Sequence, residues 1–287
     1  MRSPQPQITG AIGSSLWRLG ATALMAVVAA SLVWIASEVI WSGNEPVTLI
    51  PLVRLVFLLA ILPALGAWWM LRSAAATIEI RADELVLHAR AATLQVPSRS
   101  IARILPWRLP LPAPGFGVRL RSGRRLGHAI VVDDPEPLLR ALADVADCEA
   151  ARAAAADSMM QWAHARAAYG RPTVLAWILK YGVFAILPAA IFFNAHQHIS
   201  FGGLFGQWNL QGFAPWLATL VTYWLSLVVY LLVFGGAIRI AVEGALLLHL
   251  SMRTGGLHAA RRWGERTCVV LYYAGVPALV GLRFLDW

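Results

Sequence analysis

The residues best suited to chemistry lie in one uncharged stretch between two long apolar runs. Asn194, His196 and His198 stand there, followed closely by Gln207 and Trp208. Imidazoles act as acid–base groups and as metal ligands, and two histidines separated by one residue point to the same side in extended backbone. In an α-helix they would diverge by about 200° and could share no ligand. The stretch contains no carboxylate or cysteine to complete a metal site.

Two interpretations of this stretch follow from its residue types. One is a membrane enzyme, or a small-ligand or metal site, built on Asn194, His196 and His198. The other is structural, with the imidazoles capping helices and bonding to backbone that the nearby glycines leave free. The sequence contains no phosphate-cradling loop, nucleophile elbow or HExxH motif, and it indicates no cofactor and no assigned metal.

The elements that position this stretch are set by hydropathy. Of the 287 residues, 59% are hydrophobic and 14% are charged, whereas soluble domains are about 45–50% apolar and about 25% charged. The excess lies in runs long enough to cross a hydrocarbon core, which takes about 20 helical residues. We therefore predict an α-helical polytopic membrane protein with about five transmembrane helices, at 17–41, 49–71, 173–193, 214–234 and 268–282.

Details of these spans are predicted from their breakers and flanks. Residues 1–15 are expected to be flexible, and residues 42–46 to form a tight turn. Pro63 and Pro188 are expected to kink their spans. The apolar run from Ala214 continues past Gly235-Gly236, so we expect a kink or break there, with residues 237–252 at the cytoplasmic interface unless they are embedded.

Arginines concentrated between Thr77 and Val132 predict the orientation of the whole chain. This segment carries nine of them against Glu79, Asp83 and Glu84: Arg81, Arg90, Arg99, Arg103, Arg108, Arg119, Arg121, Arg124 and Arg125. Loops rich in arginine stay in the cytoplasm. We predict a bacterial inner-membrane protein with a cytoplasmic N-terminus and a periplasmic C-terminus. Arginine retention also accounts for the net charge of +9, so no nucleic-acid partner is predicted.

The arginine-rich segment has the pattern of β structure. Hydrophobic residues alternate in Thr77–Arg81 and again in Leu85–His88, with 82–84 as the turn between them. Further strands are predicted at 93–96, 101–107, 116–121 and 124–132, with a proline-rich loop at 109–115. Ser122-Gly123 is a two-residue hairpin signal. Asp134-Pro135-Glu136 is typical of a helix start.

The order of these elements carries a resemblance to a known family. A transmembrane hairpin precedes a strand, Asp83-Glu84-Leu85, a second strand and the sequence from Gln95 to Ile101. A basic hairpin and a closing helix opened by Asp134-Pro135-Glu136-Pro137-Leu138-Leu139 follow. Residues 77–145 resemble the bacterial pleckstrin-homology-like (bPH) domains of small membrane proteins. The resemblance implies an inserted all-β PH-like domain, closed by a C-terminal helix, that binds or scaffolds and has no enzymatic activity.

The basic hairpin is the candidate lipid or phosphate site. Arg119, Arg121, Arg124 and Arg125 surround its turn, and guanidinium groups bind phosphate as bidentate forks. An anionic leaflet attracts each basic residue by about 1 kcal/mol. The alternative is a solvated basic turn without specific recognition.

Charged residues in or near the spans are predicted to form structural ion pairs. Glu38 and Arg54 lie at similar depth in the first two spans, where an isolated charge is costly. Arg239 and Glu243 are four residues apart and can pair on one helix face. Lys180, about two turns into the third span, is expected to reach toward the cytoplasmic headgroups.

We divide the chain into 1–72, the N-terminal segment and hairpin; 73–146, the β domain; 147–172, a linking helix; and 173–287, a three-helix transmembrane region. In this last region the predicted topology places the His-Gln-His stretch at the outer face, as an interfacial or re-entrant loop. The leading hypothesis is a membrane scaffold or accessory protein. Its β domain would bind a protein partner or anionic lipid, and its last three spans would pack against another membrane protein or a second copy. The alternatives are the outer-face site described above and a lipid or small-solute transporter, for which the spans carry few charges.

Overall fold

A computed structural model describes residues 7–41, 49–81, 84–90, 92–170, 172–252 and 256–285. It is mostly helical, with one curled antiparallel sheet of seven strands. Within the described residues, four helices are long and apolar enough to cross a membrane: Ser15–Trp41, Leu49–Ser73, Val174–Phe201 and Phe213–Met252. The turns predicted at 42–46 and 82–83 lie outside the described residues, and so do Arg171, Arg253 and the final two residues. The fold is that of a membrane protein with a β domain.

The sheet contains the strands β1 (Gln7–Ser14), β2 (Ala75–Ile80), β3 (Glu84–Ala89), β4 (Thr93–Pro97), β5 (Ile101–Pro106), β6 (Gly115–Leu120) and β7 (His128–Val131). Their order is β4-β3-β2-β1-β7-β6-β5, with antiparallel neighbours throughout. The six strands predicted from the sequence correspond to β2 to β7, and the predicted and observed ends differ by at most four residues.

The helices are α1 (Ser15–Trp41), α2 (Leu49–Val56), α3 (Leu62–Ser73), α4 (Pro135–Asp144), α5 (Glu149–Ala155), α6 (Ser158–Ala167), α7 (Val174–Trp177), α8 (Ile186–Phe201), α9 (Gly206–Gln211), α10 (Phe213–Met252), α11 (Leu257–Val270) and α12 (Val276–Leu285). Three π-helical segments, Phe57–Ile61, Ile178–Val183 and Leu271–Gly275, separate α2 from α3, α7 from α8 and α11 from α12. The fifth predicted span, 268–282, falls in α11, the last π-segment and α12, outside the four spans listed above.

By density of internal contacts the chain divides into two units. One is drawn from Met1–Val28, Ile61–Gly170 and Leu246–Arg262, and it contains the sheet and α4 to α6. The other is drawn from Ala29–Ala60, Arg171–Ala245 and Trp263–Trp287, and it is helical.

The N-terminal segment is a strand, so the prediction of a flexible start was wrong for residues 7–14. β1 lies in the middle of the sheet, bonded to β2 on one side and to β7 on the other. Ile12 is buried in the main core. The β domain is therefore built from both sides of the first two apolar helices, and the predicted boundary at 73 divides its sheet.

The core of the β unit is shared by the sheet and the helices that follow it. Ile78, Phe116 and Ile130 pack with Leu138 and Leu139 of α4. Asp134 caps α4 by accepting a hydrogen bond from the backbone N–H of Glu136, as its position before a proline predicted. The predicted linking helix at 147–172 is instead two short helices, α5 and α6, and residues of both join this core.

Each π-helical segment precedes a proline. Pro63, Pro188 and Pro277 follow the segments by two to five residues. A proline has no N–H, and its ring clashes with the carbonyl four residues earlier. Widening the preceding turn relieves that clash without breaking the helix. The prolines therefore follow irregular turns, and the kinks predicted at Pro63 and Pro188 stay predictions.

The π-segment Ile178–Val183 leaves carbonyls that neighbouring helices bind. The Tyr272 hydroxyl donates to the Lys180 carbonyl at 2.7 Å, and the Trp224 indole N–H donates to the Gly182 carbonyl at 2.9 Å. Tyr272 lies in the last π-segment and Trp224 in α10. Three separate helices are thus joined at one level by side-chain bonds to backbone.

We expect Tyr272→Phe to lower the free energy of unfolding by about 1 kcal/mol, the usual value of a side-chain hydrogen bond between membrane helices. The phenyl ring keeps the packing, so the loss reports the bond to the Lys180 carbonyl. Thermal unfolding in detergent measures it. Tyr273→Phe is the matched control, because Tyr273 is exposed and only its ring contacts are observed.

The helix α10 is continuous over 40 residues, so a break at Gly235-Gly236 was the wrong prediction, whereas a kink there stays a prediction. A β-carbon at Gly235 would lie 2.6 Å from the Tyr181 hydroxyl, and one at Gly236 would lie 3.0 Å from a methyl of Leu32. The glycines therefore admit neighbouring side chains close to the helix axis. At about 1.5 Å per residue the helix is longer than a hydrocarbon core, so part of it extends beyond one.

Candidate functional site

The stretch with Asn194, His196 and His198 is helical, which corrects the expectation of an interfacial loop. All three residues lie on α8, which runs to Phe201 and ends at Gly202 in the left-handed conformation. Because the backbone is helical, the two imidazoles point about 200° apart and share no ligand. Among the described residues no group of three or more His, Cys, Asp or Glu side chains is placed to hold a metal.

Each imidazole has a partner on its own helix. The Nδ1 of His198 lies 2.9 Å from the Asn194 carbonyl, to which it donates. The Nδ1 of His196 lies 3.4 Å from the hydroxyl of Ser200, and its ring packs on Tyr223 with centroids 5.6 Å apart. One imidazole bonds to backbone within its own helix and the other to a side chain, so neither is the helix cap that the structural interpretation predicted.

The buried polar centre of this region is a pair of glutamines. Gln197 is fully buried and donates from Nε2 to the Oε1 of Gln207 at 2.8 Å, and Gln207 donates in turn to Gln211 and to Thr219. The network joins α8, α9 and α10. The sequence analysis considered Gln207 but missed Gln197. The signal was present, since an amide between two histidines on an apolar helix needs a partner.

The basic hairpin forms the strongest charged feature of the β unit. In the strand register, Arg103 of β5 lies opposite Arg119 of β6. The backbone of Arg119 forms an isolated antiparallel β-bridge with that of Arg125. All three side chains are exposed, as are Arg121 and Arg124 in the turn. We call Arg103, Arg119 and Arg125 the arginine row. In the part of the chain that the structure describes, none of the five forms an ion pair.

The strand register places this hairpin at the end of the sheet that leads into the first membrane helix. Ser14, the last residue of β1, pairs with His128, so Arg125 and the turn before it extend beyond the end of β1. Glu79 lies toward the other end of β1, where it pairs with Gln7.

A loop rich in proline connects the sheet to that same helix. The hydroxyl of Thr22 on α1 donates to the Leu111 carbonyl at 2.9 Å. The Arg18 guanidinium lies 3.7 Å from the centre of the Trp107 ring, within the range of a cation–π contact. Hence the predicted loop at 109–115 fixes the β domain to the start of α1.

The predicted ion pairs have different outcomes. Arg239 and Glu243 pair at 3.2 Å, as predicted, and Arg239 also bonds Glu265 at 2.6 Å. Glu38 and Arg54 are both exposed, and no ion pair joins them.

A second charged cluster, at the junction of α4 and α6, was not predicted. His164 lies between two carboxylates, with Nδ1 3.1 Å from Asp134 and Nε2 2.6 Å from Glu136. Arg140 pairs with Glu136, and a cleft of about 350 Å³ lies beside them. The acids at the start of α4 meet the basic end of α6, where opposite charges also suit the two helix dipoles.

The Glu79 carboxylate predicts a pH dependence of stability. Hydrogen bonds from Arg81 and His88 hold its pKa below the ordinary glutamate value. A depressed folded-state pKa gives stability that is present above the unfolded pKa and is lost as pH falls through the folded one. We expect Glu79→Gln to lower the melting temperature at neutral pH and to match the wild type in acid. Glu84→Gln, on the adjacent strand, is the control.

Comparison with family models, with curated proteins and with solved structures found no match.

Proposed function

We propose that this chain is a scaffold or accessory protein of the bacterial inner membrane, with five spans, a cytoplasmic N-terminus and a periplasmic C-terminus. Its β domain, which we assign to the PH-like class, would bind anionic phospholipid headgroups of the inner leaflet. The helical region would pack against another membrane protein or a second copy of the chain.

The arginine row is the observation that carries the proposal. Like charges directly opposite each other on neighbouring strands destabilise a sheet. Here three arginines lie opposite one another in register, and none has a carboxylate partner among the described residues. An array of phosphates would remove that repulsion and offer each arginine a bidentate acceptor. The repulsion between the arginines in the free sheet and their affinity for phosphate therefore both favour binding to an anionic surface.

The position of the row supports a lipid ligand. The hairpin projects beyond the end of β1, where α1 begins, whereas Glu79 lies toward the other end of β1. Each basic residue near an anionic leaflet contributes about 1 kcal/mol. Together the three residues of the row would supply about 3 kcal/mol, enough to hold a tethered domain against the membrane.

Fluorescence energy transfer in nanodiscs tests the proposal. A dye on Ser122→Cys, with Cys148 and Cys268 replaced by alanine, would report the distance from the hairpin to headgroup-labelled lipid. We expect higher transfer in discs containing phosphatidylglycerol than in phosphatidylcholine discs, and a return to the lower value in high salt. Arg119→Gln should weaken the response by about fivefold, the equivalent of about 1 kcal/mol.

The charge-matched control is Arg81→Gln, close to Glu79, which should leave the transfer unchanged. Equal transfer in both kinds of disc, or equal losses for Arg81→Gln and Arg119→Gln, would count against the proposal. The scaffold role is tested separately by isolation from native membranes in mild detergent. A monomer without any bound protein would contradict that part.

A further inference from the structure

The chain contains 23 arginines and a single lysine, and that lysine lies in a membrane helix. Lys180 belongs to the π-segment after α7 and is half-buried. Its Nζ lies 4.4 Å from the centre of the Tyr272 ring and 5.0 Å from that of Tyr181. The ammonium therefore contacts two aromatic faces. The sequence had instead predicted that it would reach toward the cytoplasmic headgroups.

The aromatic faces compensate only part of the cost of this charge. A cation–π contact contributes about 0.5–2 kcal/mol, less than the cost of taking an ammonium ion out of water. No carboxylate among the described residues lies within ion-pair distance of Lys180, and the nearby Glu243 and Glu265 both contact Arg239. An anion beside Lys180 would therefore be favourable.

An apolar groove begins one helical turn from Lys180. It has a volume of about 230 Å³ and runs between α8 and α12. Its walls are Phe184, Leu187, Pro188, Ile191, Val276, Pro277 and Gly281. Phe184 packs on Tyr272 with ring centroids 5.5 Å apart, so one aromatic ring separates the ammonium from the Phe184 end of the groove. From Phe184 to Ile191 the groove is about 10 Å long.

We propose that this groove and Lys180 form a binding site for one anionic glycerophospholipid. One acyl chain would lie along the groove, and the phosphate of the lipid would bind the Lys180 ammonium beyond the Phe184 end. Basic pockets between membrane helices are known sites for such headgroups. The charge selects an anionic lipid, and the uncharged walls select a hydrocarbon chain. The site is separate from the arginine row and does not depend on the function proposed above.

Native mass spectrometry of the full chain tests this site. The protein is purified in mild detergent, and phosphatidylglycerol or phosphatidylcholine is added back. We expect one tightly retained phosphatidylglycerol per chain and weaker retention of phosphatidylcholine. Lys180→Met should lower the preference for the anionic lipid by about fivefold, and Lys180→Arg should preserve it.

Gly281→Leu tests the groove without removing the charge. A leucine there would fill the space for the acyl chain and should reduce retention of both lipids. Gly244→Leu, on α10, is the matched control, since a β-carbon at either glycine meets no atom within 4 Å. Melting temperatures of all variants would show that each is folded.

Several outcomes would overturn the assignment. These are equal retention of both lipids by the wild type, unchanged preference in Lys180→Met, or equal retention by Gly281→Leu and Gly244→Leu. Arg119→Gln should not alter retention, which separates this site from the hairpin.

A second readout uses the single lysine: ¹³C-methylation keeps its charge, and the resonance of the methylated side chain should shift with phosphatidylglycerol but not with phosphatidylcholine.

Discussion

Replacing Gly10 with valine is expected to disrupt the β domain at its centre. Gly10 lies in β1, the fourth of seven strands, and pairs with Ala76. A β-carbon there would lie 2.6 Å from the Val131 carbonyl oxygen. Neither strand can move aside, because both are held on two sides by hydrogen-bonded neighbours. We expect a loss of about 3 kcal/mol, at the upper end of the cost of overpacking a core.

Thermal unfolding monitored by gel-filtration fluorescence measures this loss. Gly117→Val is the matched control, because Gly117 lies in β6 and a β-carbon there would meet nothing within 4 Å. Valine favours strands, so the control should melt at or above the wild-type temperature. If Gly10→Val and Gly117→Val melt together, β1 is not the central strand of the sheet.

The strands differ in how visible they are in the sequence. β2 and β3 could be predicted because their residues alternate and are rich in isoleucine, leucine and valine. β1 contains Gly10 and Gly13 and few strong strand formers, so local propensity gives no signal. It becomes a strand because β2 and β7 offer two bonded edges, and those edges come from residues more than 60 positions away.

The polar residues of the membrane helices could be found from the sequence, but their partners on other helices could not. Counting charges span by span gave few in each, which was correct for every helix alone. Arg239 and Glu265 are 26 residues apart and meet because α10 and α11 are adjacent. Lys180 meets Tyr272 in the same way, 92 residues away. Only helix packing reveals that these groups converge.

Substituting leucine for Gly235 is expected to separate two membrane helices. A β-carbon at this position would lie 2.6 Å from the Tyr181 hydroxyl and 2.9 Å from its ring. Tyr181 is itself held between Trp177 and Tyr272, with ring centroids 5.0 and 5.7 Å away, so it has little room to rotate. A leucine is larger than a single β-carbon, and we expect a loss of about 3 kcal/mol.

Gly244→Leu provides the comparison within the same helix. Gly244 lies on α10 nine residues after Gly235, and a β-carbon there meets nothing within 4 Å. If glycine bent the helix at Gly235-Gly236, both substitutions would stiffen α10 and neither would lower the melting temperature. Because Gly235 instead makes room for Tyr181, only Gly235→Leu should be destabilised. Gly235→Ala should also be destabilised, and adding Tyr181→Phe to it should recover part of that loss of stability, because the deleted hydroxyl is the atom closest to the added methyl group.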